Sequence, residues 1–458
     1  MKRIKYRSIA ILLCALLALS GCGAQTSGEK SSDQGISTSE DTVVTTGSTI
    51  DTTSIFSDRD LEGTYDESAT IAIALNGESA VCDSDAVIIE NGQVIIEAEG
   101  VYLLSGTITD GQIVVNAGET DKVQLVLAGA DITSSTSAAI YALEADKVFV
   151  TLAEGTENTL TNGGEYIAID DNNIDAVIFA KTDLTLNGSG SLTINAQAGH
   201  GVVSKDDLVI TGGSYAITAA SHGLSGKDAI AIADGTFAIT SGKDGIHVEN
   251  SDDLTLGTLY IADGSYTITS QGDAISAQGA LQIDGGTFDL YTGEGSASVE
   301  MTSSDQFGQM GGQRDGGTAT QAEATATETE EDSVSQKGIK GESIYTISGG
   351  TFTIDSADDC LHAGGEMVVA TGIFTLNSGD DAVHCDATLT IQSGTFTIPY
   401  CYEGIEGLSI TIEDGIFDIT SQRRRSQRRR RSGQLWLRWL WGSAAGHLYR
   451  QFRQLHYN

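Results

Sequence analysis

The stretch Leu389–Ile398, LTIQSGTFTI, holds two short runs of alternating apolar and polar residues around a Ser-Gly corner. A period of two puts Leu389, Ile391, Phe396 and Ile398 on one face of extended chain, as a half-buried strand requires. The same texture stands at Leu208–Thr218 (LVITGGSYAIT) and Leu281–Leu290 (LQIDGGTFDL). Its aromatic residue recurs at Tyr215, Phe237, Tyr266, Phe288, Phe352, Phe374, Phe396 and Phe417, at intervals of 22, 29, 22, 64, 22, 22 and 21. The interval of 29 implies seven inserted residues within Ser251–Thr258. The interval of 64 implies a longer insertion over 295–336, where QFGQMGGQRDGG and AEATATETEED are low in complexity and disorder-prone.

No amphipathic run with a 3.6-residue period appears in the body of the chain. A unit of about 22 residues without helices reads as one coil stacked on the last. The expectation is an all-β fold, a right-handed single-stranded parallel β-helix, over residues 56–420. Residues 60–200 share the texture with less regular spacing and read as the earlier coils. Glycines at the corners supply positive φ, and a single proline, Pro399, leaves the ladders their amide donors.

The charge is one-sided. Lys and Arg number 25 against 63 Asp and Glu, a net −38 over 458 residues. From Ser421 onward stand ten arginines, no acid and all three tryptophans, so the remainder carries 15 basic residues against 63 acidic ones. Such a body excludes an unaided nucleic-acid or anionic-membrane binder. An acidic partner would need a cation in between.

Lys2, Arg3, Lys5 and Arg7 precede an apolar run from Ile9 to Leu19 and then Leu19-Ser20-Gly21-Cys22. A basic start, a short apolar run and small residues make a secretory signal over 1–22. The run is short for a membrane span. Its ending resembles the bacterial lipobox, which places a lipid on Cys22 after cleavage; the alternative is an ordinary signal with an incidental cysteine. Residues 23–55, rich in Ser, Thr, Gly and Asp, read as a flexible tether. The expected location is the extracellular face of the cell membrane, held by the lipid only. Cys82, Cys360, Cys385 and Cys401 form no CxxC pair and read as free thiols.

Aligning the coils on the aromatic residue gives a polar column of His200, His222, Asp244, Asp273, Lys337, Asp359, Asp381 and Glu403. Two positions later the column is apolar throughout: Val202, Leu224, Ile246, Ile275, Ile339, Leu361, Val383 and Ile405. The polar column is expected to leave the core near a corner. Asp358 and Asp380 stand one position before it, and His247, Lys340, His362, His384 and Glu406 three positions after. Stacked at ~4.8 Å, Asp359, Asp381 and Glu403 can share a cation, because calcium–oxygen bonds are ~2.3–2.6 Å. Hard oxygen ligands favour Ca²⁺; Asp244 and Asp273 extend the ligand column. A zinc site from His362, His384 and an aspartate, or a solvated acidic ladder that discourages edge pairing, remain alternatives. Lys337 beside Asp359 can replace metal by a salt bridge.

GHGVVSKDDLVITGG, HGLSGKDAI, SGKDGIHVENSDD, the paired DDCLH and DDAVH coils, and YEGIEGLSITI resemble the calcium-binding, carbohydrate-binding β-helix lipoproteins of clostridia, a family similar in shape to family-nine pectate lyases. The resemblance covers roughly 60–420. It implies bound calcium and binding to plant cell-wall polysaccharides such as cellulose and polygalacturonate. The Asp-Asp-x-apolar-His positions carried over are Asp358, Asp359, His362, Asp380, Asp381 and His384, with Cys360 a departure from the usual small residue. After Ser421 the resemblance stops. Slipping the frame by one base turns Arg423–Arg431 into an Asp-Asp-Gly coil of the expected kind, so 421–458 reads as a frameshifted tail. The alternative is a genuine basic anchor for anionic envelope polymers.

Three functions compete. A surface lipoprotein, expected as a monomer, would bind polysaccharide through Ca²⁺ held by Asp358, Asp359, Asp380, Asp381 and Glu403, with His362, His384, Tyr402 and Glu406 toward the glycan. A calcium-dependent pectate lyase needs a base near the C5 proton; Lys227, Lys243 and Lys340 are candidates, and Lys340 occupies the histidine column one coil before His362. A calcium-stiffened scaffold needs neither.

Overall fold

A computed structural model describes residues 50–167, 170–299 and 335–421. All belong to the unit Gly47–Asn458. Cys22 with its signal, the tether up to 49, most of the 295–336 insertion and the basic tail from 422 lie outside the described residues. Within them the chain is all-β. Thirty-five strands join into one sheet that is mostly parallel and does not close into a barrel. Helix is confined to Asp58–Glu62 and two 3₁₀ turns.

The pairing follows from the repeat. Ser214–Ala219 pairs in parallel with Thr236–Ser241, Leu224–Gly226 with Ile246–Val248, and Ala229–Ile232 with Thr258–Ile261. From Ile140–Glu144 to Leu361–Ala363 each strand meets the third strand after it, so three ladders run side by side through the repeats. The aromatic column is one such register, from Tyr215↔Phe237 through to Phe396↔Phe417. Ring centroids along it lie 4.4–5.3 Å apart and nearly parallel, the spacing of neighbouring strands. All but the last of these rings are almost fully buried. Two residues before each ring stands a glycine. At Gly286 (φ 112°) and Gly394 (φ 133°) a Cβ would sit 3.0 Å and 3.1 Å from the Phe288 and Phe396 rings. Glycine is therefore required twice over, for the corner and for the ring.

The irregular intervals have addresses. Gly226 pairs with Val248, 22 residues on, but Ala229 pairs with Thr258, 29 on. The seven extra residues thus lie between Val248 and Thr258. The interval of 21 arises between Cys385↔Gly407 and Thr388↔Ser409, where one residue drops out of a corner. Pro399 lies where the register slips between Ile398 and Cys401, a bulge that spares a ladder hydrogen bond.

The first coils differ from the expectation. Thr70–Gly77 pairs antiparallel with Ser79–Val81, and Val87–Glu90 antiparallel with Gln93–Ile96. The second hairpin turns on Asn91-Gly92 at φ 51° and 78°, the two left-handed positions that a tight two-residue turn demands. An Asn-Gly between two apolar runs carries that signal in the sequence. The one-turn helix Asp58–Glu62 is closed by a Ser57/Asp60 capping box. Asp60 is buried against the sheet, with Lys147 Nζ at 2.9 Å and Thr185 Oγ1 donating at 2.6 Å.

Candidate functional site

The polar column stands two residues ahead of the apolar column, whose register is continuous from Val202↔Leu224 to Val383↔Ile405. It does not leave the core as expected. Asp273, Asp359 and Asp381 are only 2%, 2% and 3% exposed. A buried carboxylate survives only when hydrogen-bonded, and each has found a backbone donor in the next coil.

Asp244 Oδ1 accepts the Asp273 N–H at 2.8 Å, and Asp273 Oδ1 accepts the Lys337 N–H at 2.7 Å. Asp359 Oδ1 accepts the Asp381 N–H at 3.0 Å, and Asp381 Oδ1 the Glu403 N–H at 3.2 Å. The histidines do the same through Nδ1: His200 accepts from His222 at 3.3 Å, and His222 from Asp244 at 3.1 Å. Lys337 has no acceptor to offer. At that step Asp358 Oδ1 takes the Asp359 N–H instead, at 2.9 Å. Sequence reasoning missed this relay. Its signal was a column made, but for Lys337, of side chains that can accept a hydrogen bond.

The relay occupies one oxygen of each aspartate and leaves the other. Three groupings result around 358–406. Asp358, Asp359 and Asp380 bring carboxylate oxygens together; so do Asp381, Glu403 and Glu406; and Asp359 shares its second oxygen with His362 and His384. His362 Nδ1 lies 2.9 Å from Asp359 Oδ2, and His384 Nδ1 lies 3.5 Å from that atom and 3.4 Å from Asp381 Oδ2. The Lys337 ammonium sits on the first carboxylate group, 2.5 Å from Asp358 Oδ2 and 3.3 Å from Asp359 Oδ2.

Charges divide accordingly. Burial opposes the Asp359 charge, but the His362 hydrogen bond and the Lys337 ammonium outweigh it and hold the carboxyl below its ordinary value. Asp381 is not compensated in this way. Burial, the Asp359 charge and the hydrogen bond it makes to Glu406 push it up to about 9. Burial and the charges of Asp359 and Asp358 also raise Asp380. Burial raises Asp273 to about 6.

The other candidates separate. Asp273 Oδ1 is taken by the Lys337 N–H and the Ser335 hydroxyl, and no carboxylate group among the described residues includes it. Asp244 is grouped with His222 and His247. Lys340 lies in register with His362, but its Nζ is 2.6 Å from Glu342 Oε1. Tyr402 is half-buried and its N–H donates to the Asp380 carbonyl at 2.7 Å.

The oxygen groups fit calcium in donor type and spacing. Their ligand atoms lie within 4.8 Å of one another, and two oxygens on one Ca²⁺ at ~2.4 Å can be at most about 4.8 Å apart. Asp359 with His362 and His384 offers a mixed set of softer character.

A solved structure described as the polysaccharide lyase-like protein from C. thermocellum, gadolinium derivative, is 35% identical to this chain. That match has a TM-score of 0.48 and covers 49% of this chain and 92% of that one. A relative described as a carbohydrate-binding domain-containing protein, from Acetivibrio thermocellus, is 40% identical over 137 residues, 30% of this chain. The chain spans about half of that relative's length, 48%. The profile of the family described as carbohydrate-binding domain-containing protein matches residues 90–382, more than half of the sequence, and the chain belongs to that family.

Proposed function

We propose that this protein is a surface lipoprotein that binds acidic plant cell-wall polysaccharide through Ca²⁺ held by its stacked carboxylates. The observation that carries the reading is the pair of oxygen groups, Asp358–Asp359–Asp380 and Asp381–Glu403–Glu406. They belong to neighbouring coils and are joined by the Asp359–Asp381 backbone bond. Asp381, raised to about 9, holds a proton where a cation would relieve the same repulsion. A Ca²⁺ there neutralises the carboxylates and leaves coordination positions for uronate oxygens. That explains how so acidic a body holds an acidic polymer. His384 and Tyr402, the other candidates for the glycan, are half-buried.

Membership in a carbohydrate-binding family supports the ligand class. The three parallel ladders and the 22-residue return support a right-handed parallel β-helix as the scaffold. A lipid on Cys22 would place it on the extracellular face of the membrane.

The test is one incubation of the chain with polygalacturonate, with Ca²⁺ and then with EDTA. Co-sedimentation reports binding and ultraviolet absorbance reports unsaturated product. Binding lost in EDTA without product is the expected result. Product that grows with time and disappears in Lys340→Ala would make the protein a lyase instead. Binding indifferent to EDTA would sink the calcium bridge.

A further inference from the structure

The first and last described coils end differently. At the start, Ile73 and Ile96 are fully buried, and their strands belong to the two antiparallel hairpins. At the other end the core stays open. Val383, Leu389, Ile391, Phe396 and Ile398 are fully buried. Their register partners one coil on are Ile405, Ile410, Ile412, Phe417 and Ile419. Of these, Phe417 is 8% exposed and the four isoleucines are only half-buried. Leu408 and Ile416 in the same coil are 74% and 61% exposed. Glu403–Ile412 and Ile416–Ser421 pair with the preceding coil, and no strand among the described residues pairs with their other edge.

We infer that the segment 435–441 of this chain's own tail docks on that edge as one further strand and closes the stack. An open edge is a template for any free strand, and a solenoid needs a cap at each end. The chain passes Ser421 on this edge with residues 422–458 still to come. Within them 435–441 reads LWLRWLW, an apolar run broken only by Arg438. The 22-residue return of the other coils puts Trp439 in the column of Phe417 and Trp441 in that of Ile419, the two inward positions. Arg438 and Leu440 then take the outward columns of Ile416 and Asp418. Leu437 stands where earlier coils have the glycine two residues before the ring. The segment therefore joins as a single strand and not as a whole coil.

Charge selects the tail over a second copy. The last described coil carries Glu403, Glu406, Glu413, Asp414 and Asp418, and no lysine or arginine. A second copy would bring the same acids to the edge. Residues 423–431 bring seven arginines instead and lead into the apolar segment. A tail of frameshifted origin serves equally, because a cap needs apolar alternation and opposite charge, not the sequence of a coil.

All three tryptophans, Trp436, Trp439 and Trp441, lie in this segment, so tryptophan emission reports it alone. The chain from residue 23 to 458, without signal or lipid, is measured in detergent-free buffer. Its emission should lie to the blue of the urea-unfolded chain and resist acrylamide quenching until the coils unfold. Light scattering should give the mass of one chain. In the double variant Trp439→Ser with Trp441→Ser, Trp436 remains as the probe, and its emission should move to the unfolded position. Amides of 403–421 should then exchange at least about tenfold faster. A chain ending at Ser421 should show the same faster exchange, with circular dichroism of the coils retained. Emission at the unfolded position in the folded parent would overturn the inference, as would exchange in 403–421 unmoved by both variants. Shielding that vanishes on dilution of a doubled mass would also overturn it, by assigning the edge to a second copy.

Discussion

Asp359 holds the backbone of Asp381. Its Oδ1 accepts the Asp381 N–H at 3.0 Å, while its Oδ2 faces His362 Nδ1 at 2.9 Å and Lys337 Nζ at 3.3 Å. One side chain therefore serves both the stacking of coils and the candidate cation site, through different atoms. The two roles can be parted. Asp359→Asn retains a carbonyl oxygen for the buried N–H and removes the charge; Asp359→Ala removes both. The alanine variant should be less stable than the asparagine variant by about 1–3 kcal/mol, the cost of orphaning a buried donor, read from denaturant unfolding by circular dichroism. Both should lose calcium affinity alike. Equal stability of the two would mean that the backbone bond contributes nothing.

The repeat made most of this legible. Ring stacking from Tyr215 to Phe417 and the apolar column from Val202 to Ile405 require a 22-residue return, and the spacing of aromatics in the sequence reports it directly. The seven extra residues of one unit were also readable, because the flanking rings keep their register. The burial of Asp359 and Asp381 was not. Alternation alone says that a charge two steps from a buried valine belongs at a corner. It does not say that the corner's own N–H groups need acceptors and draw the carboxylates inward. The antiparallel hairpins at 70–96 were missed because they share the apolar texture of the coils. Only Asn91-Gly92 marks the difference. Stacking the columns put Asp244 beside imidazoles and Asp358 beside carboxylates, but which oxygen of each aspartate the backbone takes depends on which atoms face each other across coils.

The aromatic column should carry stability unevenly with ring position. Phe352 is fully buried, and its ring lies 4.7 Å from Phe288 and 4.9 Å from Phe374. Phe352→Ala is expected to destabilise by about 3–5 kcal/mol, as large-to-small changes in a tight core do, and Phe352→Leu by less. Phe417, 8% exposed, has one ring neighbour among the described residues and should cost less. Equal losses at both positions would contradict a column in which each ring is braced by its neighbours.

The Asp381 carboxyl sets a pH dependence with a definite sign. Its value rises from 3.8 to about 9, through burial first and then the neighbouring carboxylates. A carboxyl raised in the folded state gives stability that is whole below the unfolded value and is lost as pH climbs through the folded one. With calcium chelated, the melting temperature should fall between about pH 5 and pH 9, and Asp381→Asn should flatten that slope. Calcium competes with the same proton, so its affinity should rise with pH up to about 9 and level off beyond. Calorimetry in two buffers of different ionisation enthalpy would detect the released proton. A calcium affinity flat from pH 6 to 9 would place the ion elsewhere.

Lys337 is the group that a cation at Asp358–Asp359–Asp380 would have to meet. Its ammonium lies 2.5 Å from Asp358 Oδ2 and 3.3 Å from Asp359 Oδ2. Burial disfavours its charge, but those two carboxylates outweigh burial and raise its value above that of a free lysine. It therefore stays charged and competes with a cation for the oxygens of that group. Lys337→Gln removes this competitor and leaves buried carboxylates uncompensated. Without calcium the variant should be destabilised by about 3–5 kcal/mol, as when one member of a buried pair is lost. With calcium it should recover most of that loss and bind the ion at least about tenfold more tightly than the parent, about 1.4 kcal/mol. Thermal melts with and without calcium, alongside calcium titration, measure both quantities. A variant that is destabilised equally in the two conditions would show that Lys337 completes this carboxylate group and that no cation replaces it there.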